Sequence, residues 1–97
     1  MIVAFTVEAL RDLEEIGDYI AQDNPDRAES FIAEIRDKCL GIGAFPKSFP
    51  VAHRHVGSRI RKRGFRGYLI FYRIVGATVE IIHVLHGARD YQAILEP

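Results

Sequence analysis

Two consecutive segments, GYLIFYRIV at 67–75 and TVEIIHVLH at 78–86, are apolar at nearly every position. β-Branched and aromatic residues dominate both, which is typical of strands, and Gly76-Ala77 between them suits a two-residue hairpin turn with glycine first. That register places Arg73 opposite Glu80, a favourable cross-strand pair. Because alternate side chains of a strand point to opposite faces, we expect central strands that are covered on both faces.

The first half of the chain carries two helical patterns. A short strand, Ile2 to Thr6, is followed by a helix that Thr6 caps, with apolar residues at helical spacing: Leu10, Leu13, Ile16 and Ile20. Asn24 caps a second helix with Pro25 at its first position, and its apolar side consists of Ala28, Phe31, Ile32, Ile35 and Cys39. The short link between the helices predicts an antiparallel hairpin that rests on the sheet.

Glycines and aromatic residues refine this interpretation. Gly17 within the first apolar stripe predicts a close approach by the second helix, which Gly41 or Gly43 ends. Aromatic and proline residues from Ala44 to Ser58 predict an ordered loop that Phe45 and Phe49 pin to the core.

We therefore predict a single α+β domain spanning residues 1–97. Its parts are an N-terminal strand, an antiparallel helical hairpin and a C-terminal three-stranded antiparallel sheet. The segment RIRKRGFR at 59–66 supplies the first strand of that sheet, through a turn around Gly64 to Gly67. A chain of 97 residues that is 48% hydrophobic is long enough for one thin core.

The segment at 59–66 places five cations in eight residues, although the formal net charge of the chain is zero. Residues 1–50 carry a balance of −5 and residues 51–97 a balance of +5. The outward face of the helices is predicted to be acidic, through Glu8, Asp12, Glu15, Asp26, Glu29, Glu34 and Asp37. Strand alternation places Arg61 and Arg63 on one face and Lys62 on the other. Such a cationic strand is either a solvated edge that discourages pairing or a recognition surface.

Other residue types exclude several classes of protein. Cys39 is the single cysteine, which fits a reducing cytoplasm, and its place on an apolar helix stripe favours packing over reactivity. The pairs His53-x-His55 and His83-x-x-His86 lack third and fourth ligands at customary spacing, so we predict no metal and no cofactor. We expect His83 to be a hydrogen-bonded strand residue. No apolar run is long enough to span a bilayer, and the N-terminus lacks a signal peptide pattern, so we expect a cytoplasmic protein.

The order of these elements, with the motifs they carry, resembles the ParE branch of the ParE/RelE toxin superfamily over nearly the whole chain. The residues that carry the resemblance are Ala9, Asp12-Leu13, Ile16, Tyr19-Ile20-Ala21, Asn24-Pro25, Ala28, Phe31 and Ile35, followed by YLIFYR and VLHGARD. The resemblance implies the toxin of a bacterial toxin–antitoxin pair that inhibits DNA gyrase by contact. It also implies a ParD-like antitoxin that wraps around the toxin in a hetero-oligomer.

Two alternatives stay open because a fold alone does not choose an activity. RelE-like relatives cleave messenger RNA in the ribosome, which requires a base, an acid and cations near the phosphate. In this chain the candidate residues for that chemistry are His86, Arg89 and Tyr91. His86 and Arg89 also have structural interpretations, since His86 could hold the turn before Arg89 and Arg89 could pair with an acid. The second alternative is a toxin that acts only as a binding partner in a regulatory complex.

On the gyrase hypothesis we assign no catalytic residue. The predicted target-binding residues are Arg59, Arg61, Lys62, Arg63, Arg66 and Arg89. The predicted antitoxin-binding residues are Tyr19, Ala33 and Leu40, together with Arg61 and Arg63 for an acidic antitoxin tail. We expect neutral replacements of Arg61, Lys62 and Arg63 to abolish toxicity while leaving the fold intact, because exposed charges contribute little to stability. We expect no contact with membranes and no direct binding of nucleic acid.

Overall fold

Residues 1–52 and 59–95 are described by the computed structural model. Along the chain the elements are β1 (Ile2–Phe5), α1 (Val7–Ala21), α2 (Pro25–Gly41), a 3₁₀ turn (Ile42–Ala44), β2 (Arg61–Phe65), β3 (Tyr68–Val75), β4 (Thr78–His86) and α3 (Tyr91–Leu95). The predicted α+β class is confirmed, with a helical hairpin first and antiparallel strands second.

The strands form one sheet in the order β1-β4-β3-β2. β2, β3 and β4 are antiparallel neighbours, as predicted. β1 adds a fourth strand, which runs parallel to β4 with Ile2 opposite Thr78 and Phe5 opposite Ile81. β3 and β4 are therefore central strands, and β2 lies at one edge.

Both predicted turns join the strands as expected. Gly76 has a φ of 61° in the turn between β3 and β4. Arg73 lies opposite Glu80, and Arg73 Nη2 is 2.7 Å from Glu80 Oε1. Between β2 and β3, Arg66 and Gly67 both have positive φ, at 46° and 85°, which is the backbone that a two-residue hairpin turn with primed geometry requires.

Side-chain caps define the starts of both long helices. Thr6 Oγ1 accepts a hydrogen bond from the Ala9 amide at 3.1 Å, and Asn24 Oδ1 accepts one from the Arg27 amide at 3.0 Å. Each bond satisfies an amide that has no partner within its helix. The two predicted caps are confirmed, and α2 ends at Gly41.

The buried faces of the helices differ from the prediction at one position. α1 buries Ala9, Leu13 and Ile16, whereas Leu10 is 44% exposed, because Ala9 takes the place toward the sheet.

Gly17 faces α2 as predicted, but a Cβ built on Gly17 would lie 3.4 Å from Ile32 Cγ1, which is ordinary van der Waals contact. Alanine would therefore fit at position 17.

The larger core lies between the helical hairpin and the sheet. Its buried members are Ala9, Leu13, Ile16, Phe31, Ile35, Cys39, Ile42, Ile70, Tyr72, Val79, Ile81 and Val84. On the opposite face of the sheet, a smaller cluster of Ala52, Phe71 and Leu85 is covered by half-buried side chains that include three from α3, namely Tyr91, Ile94 and Leu95. The central strands are thus covered on both faces, as their apolar sequence predicts.

The segment after α2 is held to the core in part. The ring centroid of Phe49 lies 6.4 Å from that of Tyr72, and the Tyr72 hydroxyl donates to Pro46 O at 2.6 Å. Phe45 is 68% exposed, so the prediction that it pins the loop is wrong. The predicted order of 53–58 lies outside the described residues.

Candidate functional site

The cationic strand β2 presents different side chains to the two faces of the sheet. Arg61 and Arg63 lie on the face toward the helices, and Lys62 lies on the face toward α3, where its Nζ is 5.8 Å from the centroid of the Tyr91 ring. The predicted alternation is confirmed. Lys62 is half-buried, as are Arg61 and Arg63, so the expectation that these three side chains are exposed is wrong.

Arg61 joins β2 to the loop that follows α2. Its Nη1 donates to Phe49 O at 2.6 Å and to Lys47 O at 3.3 Å. The backbone continues the same connection, because the Lys62 amide donates to Pro50 O at 3.0 Å and Val51 forms an isolated bridge with Arg61. Hydrogen bonds from a cation to carbonyl oxygens are among the stronger ones in proteins, so Arg61 holds this loop against the edge of the sheet.

Arg63 joins β2 to the end of α2. Its Nη1 donates to Lys38 O at 3.1 Å, and its guanidinium carbon lies 4.9 Å from the centroid of the Phe49 ring. Lys38 O is one of the last carbonyl groups of the helix, which lack partners within the helix and carry the negative end of its dipole. Arg63 therefore caps α2.

The exposed cations of the strand lie at its two ends. Arg59 precedes β2 and has a φ of 51°, which is uncommon for a residue with a side chain. Arg66 follows β2, with its guanidinium carbon 5.5 Å from the Phe65 ring centroid and its Nε 3.6 Å from Glu34 Oε1. Glu34 also bonds Arg27, and that hydrogen bond is the main reason that the pKa of Glu34 lies below its ordinary value.

The three candidate nuclease residues occupy two faces of the sheet. The His86 ring packs edge-on to Tyr68, with centroids 5.3 Å apart, whereas the Tyr91 ring lies 5.0 Å from that of Phe71. Tyr68 and Phe71 point to opposite faces, because they are three residues apart on one strand. The side chains proposed as base and acid therefore do not converge.

The hydrogen bonding of His86 also constrains its chemistry. Its Nδ1 accepts the Ala88 amide at 3.1 Å, and the Arg89 amide donates to His86 O at 3.0 Å. A neutral imidazole has one acceptor nitrogen, and in His86 that nitrogen already receives a backbone N–H. The residue holds the turn before Arg89, as its structural interpretation predicts. Within residues 1–52 and 59–95, no ion pair involves Arg89.

Asp12 and His83 form a contact that the sequence did not predict. Asp12 Oδ2 lies 2.7 Å from His83 Nδ1 and accepts the Val84 amide at 2.9 Å. β1 ends at Phe5 opposite Ile81, so the edge of β4 beyond Ile81 has no strand beside it, and Asp12 from α1 takes that place. The placement of Asp12 on the outward acidic face was wrong, whereas the prediction that His83 is hydrogen-bonded is confirmed.

The predicted antitoxin-binding residues outside β2 lie on two helices. Tyr19 is 69% exposed and Leu40 56% exposed, and Ala33 is also exposed. Tyr19 lines a cleft of about 530 Å³ with Tyr68, His86, Arg89 and five other residues. Ala33 and Leu40 are seven positions apart on α2, so they share its outward face. Ala33 and Leu40 are not among the residues that line the cleft beside Tyr19.

The remaining polar groups give no metal site among the described residues. No group of three or more His, Cys, Asp or Glu side chains in residues 1–52 and 59–95 is arranged to hold a metal ion, and His53 and His55 lie outside that description. Cys39 is fully buried, and burial raises its pKa to about 12. The thiol therefore stays protonated and packs as an apolar group.

Comparisons with known proteins agree on one group of relatives. The family model described as "ParE toxin of type II toxin-antitoxin system, parDE" matches residues 3–91. The toxin candidate Y4kP of Sinorhizobium fredii is 33% identical over 93 residues, which cover 96% of this chain and 95% of that protein.

Two solved structures share the fold at 17% sequence identity. One belongs to the chromosomal ParDE toxin–antitoxin system from P. aeruginosa, with a TM-score of 0.75 over 89% of this chain and 95% of that chain. The other is the isolated RelE toxin of E. coli, with a TM-score of 0.63 over 98% of this chain and 95% of that chain. Among the described helices, none has the length and apolar character that a membrane crossing requires.

Proposed function

The chain belongs to the ParE toxin family of type II toxin–antitoxin systems, and from this premise we propose that it inhibits DNA gyrase by protein–protein contact, without catalysis of its own. We propose further that a ParD-like antitoxin neutralises it in a hetero-oligomer. The structure of a ParDE toxin–antitoxin system with the same fold supports an antitoxin partner.

The geometry of the candidate nuclease residues carries the proposal. Cleavage of RNA at the 2′-hydroxyl needs a proton acceptor and a proton donor around one phosphate. Here His86 and Tyr91 lie on opposite faces of the sheet, and the Nδ1 of His86 accepts a backbone amide. A contact inhibitor has no such requirement, because it needs only a rigid surface with complementary charge.

The cations of β2 supply a surface of that kind. Arg61 and Arg63 are fixed by bonds to backbone carbonyls of the loop and of α2, so their positions are set before a partner arrives. Each uses Nη1 for these bonds, and a guanidinium has further N–H donors for an acidic partner. Arg59 and Arg66 at the ends of β2, Lys62 on its other face and Arg89 after β4 add positive charge, which steers association with an acidic surface.

Two assays on the purified protein, free of antitoxin, test this function. We expect inhibition of gyrase supercoiling or trapping of cleaved DNA, and intact messenger RNA when the protein is added to translating ribosomes. Codon-positioned cuts in ribosome-bound messenger RNA, with gyrase unaffected, would instead support the RelE-like activity. Neither activity, with no growth arrest on expression, would support a role only in a regulatory complex.

A further inference from the structure

A second cleft, distinct from the one beside Tyr19, opens at the end of the sheet where β2 begins and β3 turns into β4. It has a volume of about 510 Å³, and its described lining consists of Lys47, Val51, Arg59, Arg61, Ile74 and Gly76. Three of these six residues are cationic, and none of the described lining residues is acidic. We refer to these six residues as the cationic cleft.

The backbone brings the three cations together from two segments of the chain. Arg61 donates to Lys47 O and Phe49 O, which fixes the loop that carries Lys47 beside β2. Arg59 enters β2 with a left-handed φ of 51°, a conformation that costs free energy in a residue with a side chain and that persists only where its surroundings impose it. The fold therefore holds like charges near one another, which favours an anionic occupant.

The rest of the lining narrows the class of anion. Val51 and Ile74 provide aliphatic surface next to the cations, and Val51 is 52% exposed. Single-stranded nucleic acid gains much of its affinity from bases that stack on aromatic side chains, and no aromatic residue is among the described lining. A peptide in which aliphatic side chains alternate with carboxylates matches this lining better than a nucleic acid does.

We propose that the cationic cleft binds an acidic peptide segment in which aspartate or glutamate residues flank an aliphatic side chain. Its carboxylates lie against Lys47, Arg59 and Arg61, and its aliphatic side chain lies against Val51 and Ile74. This inference rests on the proposed function in one respect, since it assigns the segment to the antitoxin. Because Arg59 and Arg61 also belong to the proposed target surface, a segment in this cleft competes with the target.

The test uses the purified chain and a fluorescein-labelled peptide in which glutamate alternates with leucine. We expect fluorescence anisotropy to report binding that weakens as salt rises, because the contacting charges are partly exposed. Lys47→Gln and Arg59→Gln should each weaken binding several-fold, and together by roughly tenfold or more, which corresponds to about 1.4 kcal/mol. Arg61 is left unchanged, because it also holds the loop.

Arg11→Gln is the matched control, since Arg11 is an exposed cation on α1 outside the cleft and its loss changes the net charge equally. Equal effects of the three single substitutions, or equal binding of a peptide with glutamine in place of glutamate, would overturn the proposal. If a single-stranded RNA oligonucleotide bound more tightly than the peptide, in a way that depends on Lys47 and Arg59, the assignment of the ligand as a peptide would be overturned. Because gyrase takes no part in this assay, its outcome is separate from that of the gyrase test.

Discussion

The two faces of the sheet are covered in different ways. Toward the helices, Ile70, Tyr72 and Val84 pack under two long helices and are at most 1% exposed. On the other face, Phe71 and Leu85 are also buried, but part of their cover is α3, a helix of five residues of which none is buried. The difference indicates that the helix side supplies most of the stability, while the other side is closed by a short tail.

Matched isoleucine truncations give the largest expected difference between the faces. Ile35→Ala removes a fully buried side chain on the helix side and should lower the free energy of unfolding by about 2–5 kcal/mol, because it leaves a cavity. Ile94→Ala on α3 removes a half-buried side chain and should cost about 1 kcal/mol or less. Urea denaturation of both variants measures the difference, and equal losses would show that the two faces contribute alike.

The neighbouring cations of β2 allow the same comparison within one strand. Arg63→Ala should lower the free energy of unfolding by about 1–3 kcal/mol, because it leaves the Lys38 carbonyl without its charged donor and removes the contact with Phe49. Lys62→Ala, on the face of α3, loses a contact with Tyr91 and should cost less than about 1 kcal/mol. Denaturation midpoints at equal m-values provide the check, and a larger cost for Lys62 would reverse the assignment.

Alkaline pH should act on the helix side. Burial raises the pKa of Cys39 from 9.0 to about 12, and burial also raises the pKa of Tyr68 and of Tyr72. Above pH 9 the unfolded chain therefore releases the Cys39 proton while the native chain keeps it, so the native state binds more protons and stability falls as pH rises. A single group contributes at most about 1.4 kcal/mol per pH unit.

Cys39→Ala should reduce this decline between pH 9 and pH 11, measured by urea denaturation at each pH. Cys39 should also resist thiol reagents in the native protein and react once the chain is unfolded. A wild-type curve with the same slope as the Cys39→Ala curve would contradict the assignment of this pH dependence to the buried thiol.

The smallest expected effect is a gain in stability on the helical hairpin. Glycine within a helix costs up to about 1 kcal/mol relative to alanine, and the Cβ of alanine at position 17 would make ordinary contact with Ile32. Gly17→Ala should therefore raise the free energy of unfolding by about 0.5–1 kcal/mol, seen as a higher thermal midpoint. A lower midpoint would mean that the helices are packed more closely at this position than the 3.4 Å approach indicates.

Features that depend on neighbouring residues could be predicted from the sequence, and features that depend on distant pairing could not. Caps at Thr6 and Asn24, the turn at Gly76 and the alternation along β2 follow from local patterns. The burial of Arg61 depends on where the loop after α2 returns to β2, and no residue near Arg61 encodes that position. Arg61 belongs to a residue type that is usually exposed, but here it links β2 to the loop after α2.

The role of Asp12 has a similar origin. Asp12 reaches the Val84 amide, which is 72 positions away in the chain. It can do so because β1 pairs parallel to β4 and ends before β4 does. In the sequence, Asp12 is one acid among several on the helices. Asp12 lies on the same side of α1 as Tyr19, but its contact with β4 can be inferred only once the order of the strands is known.

In our proposal the cations of β2 and its turn contact the target, and Arg61 and Arg63 also hold the fold through their bonds to backbone carbonyls. The most direct measurement is growth arrest on expression of Lys62→Gln/Arg66→Gln, beside Arg11→Gln as a control, with the thermal midpoint of each purified protein. We predict that the double variant loses toxicity while its midpoint stays near that of the wild type, and that the control remains toxic. Full toxicity of a double variant with an unchanged midpoint would contradict the claim.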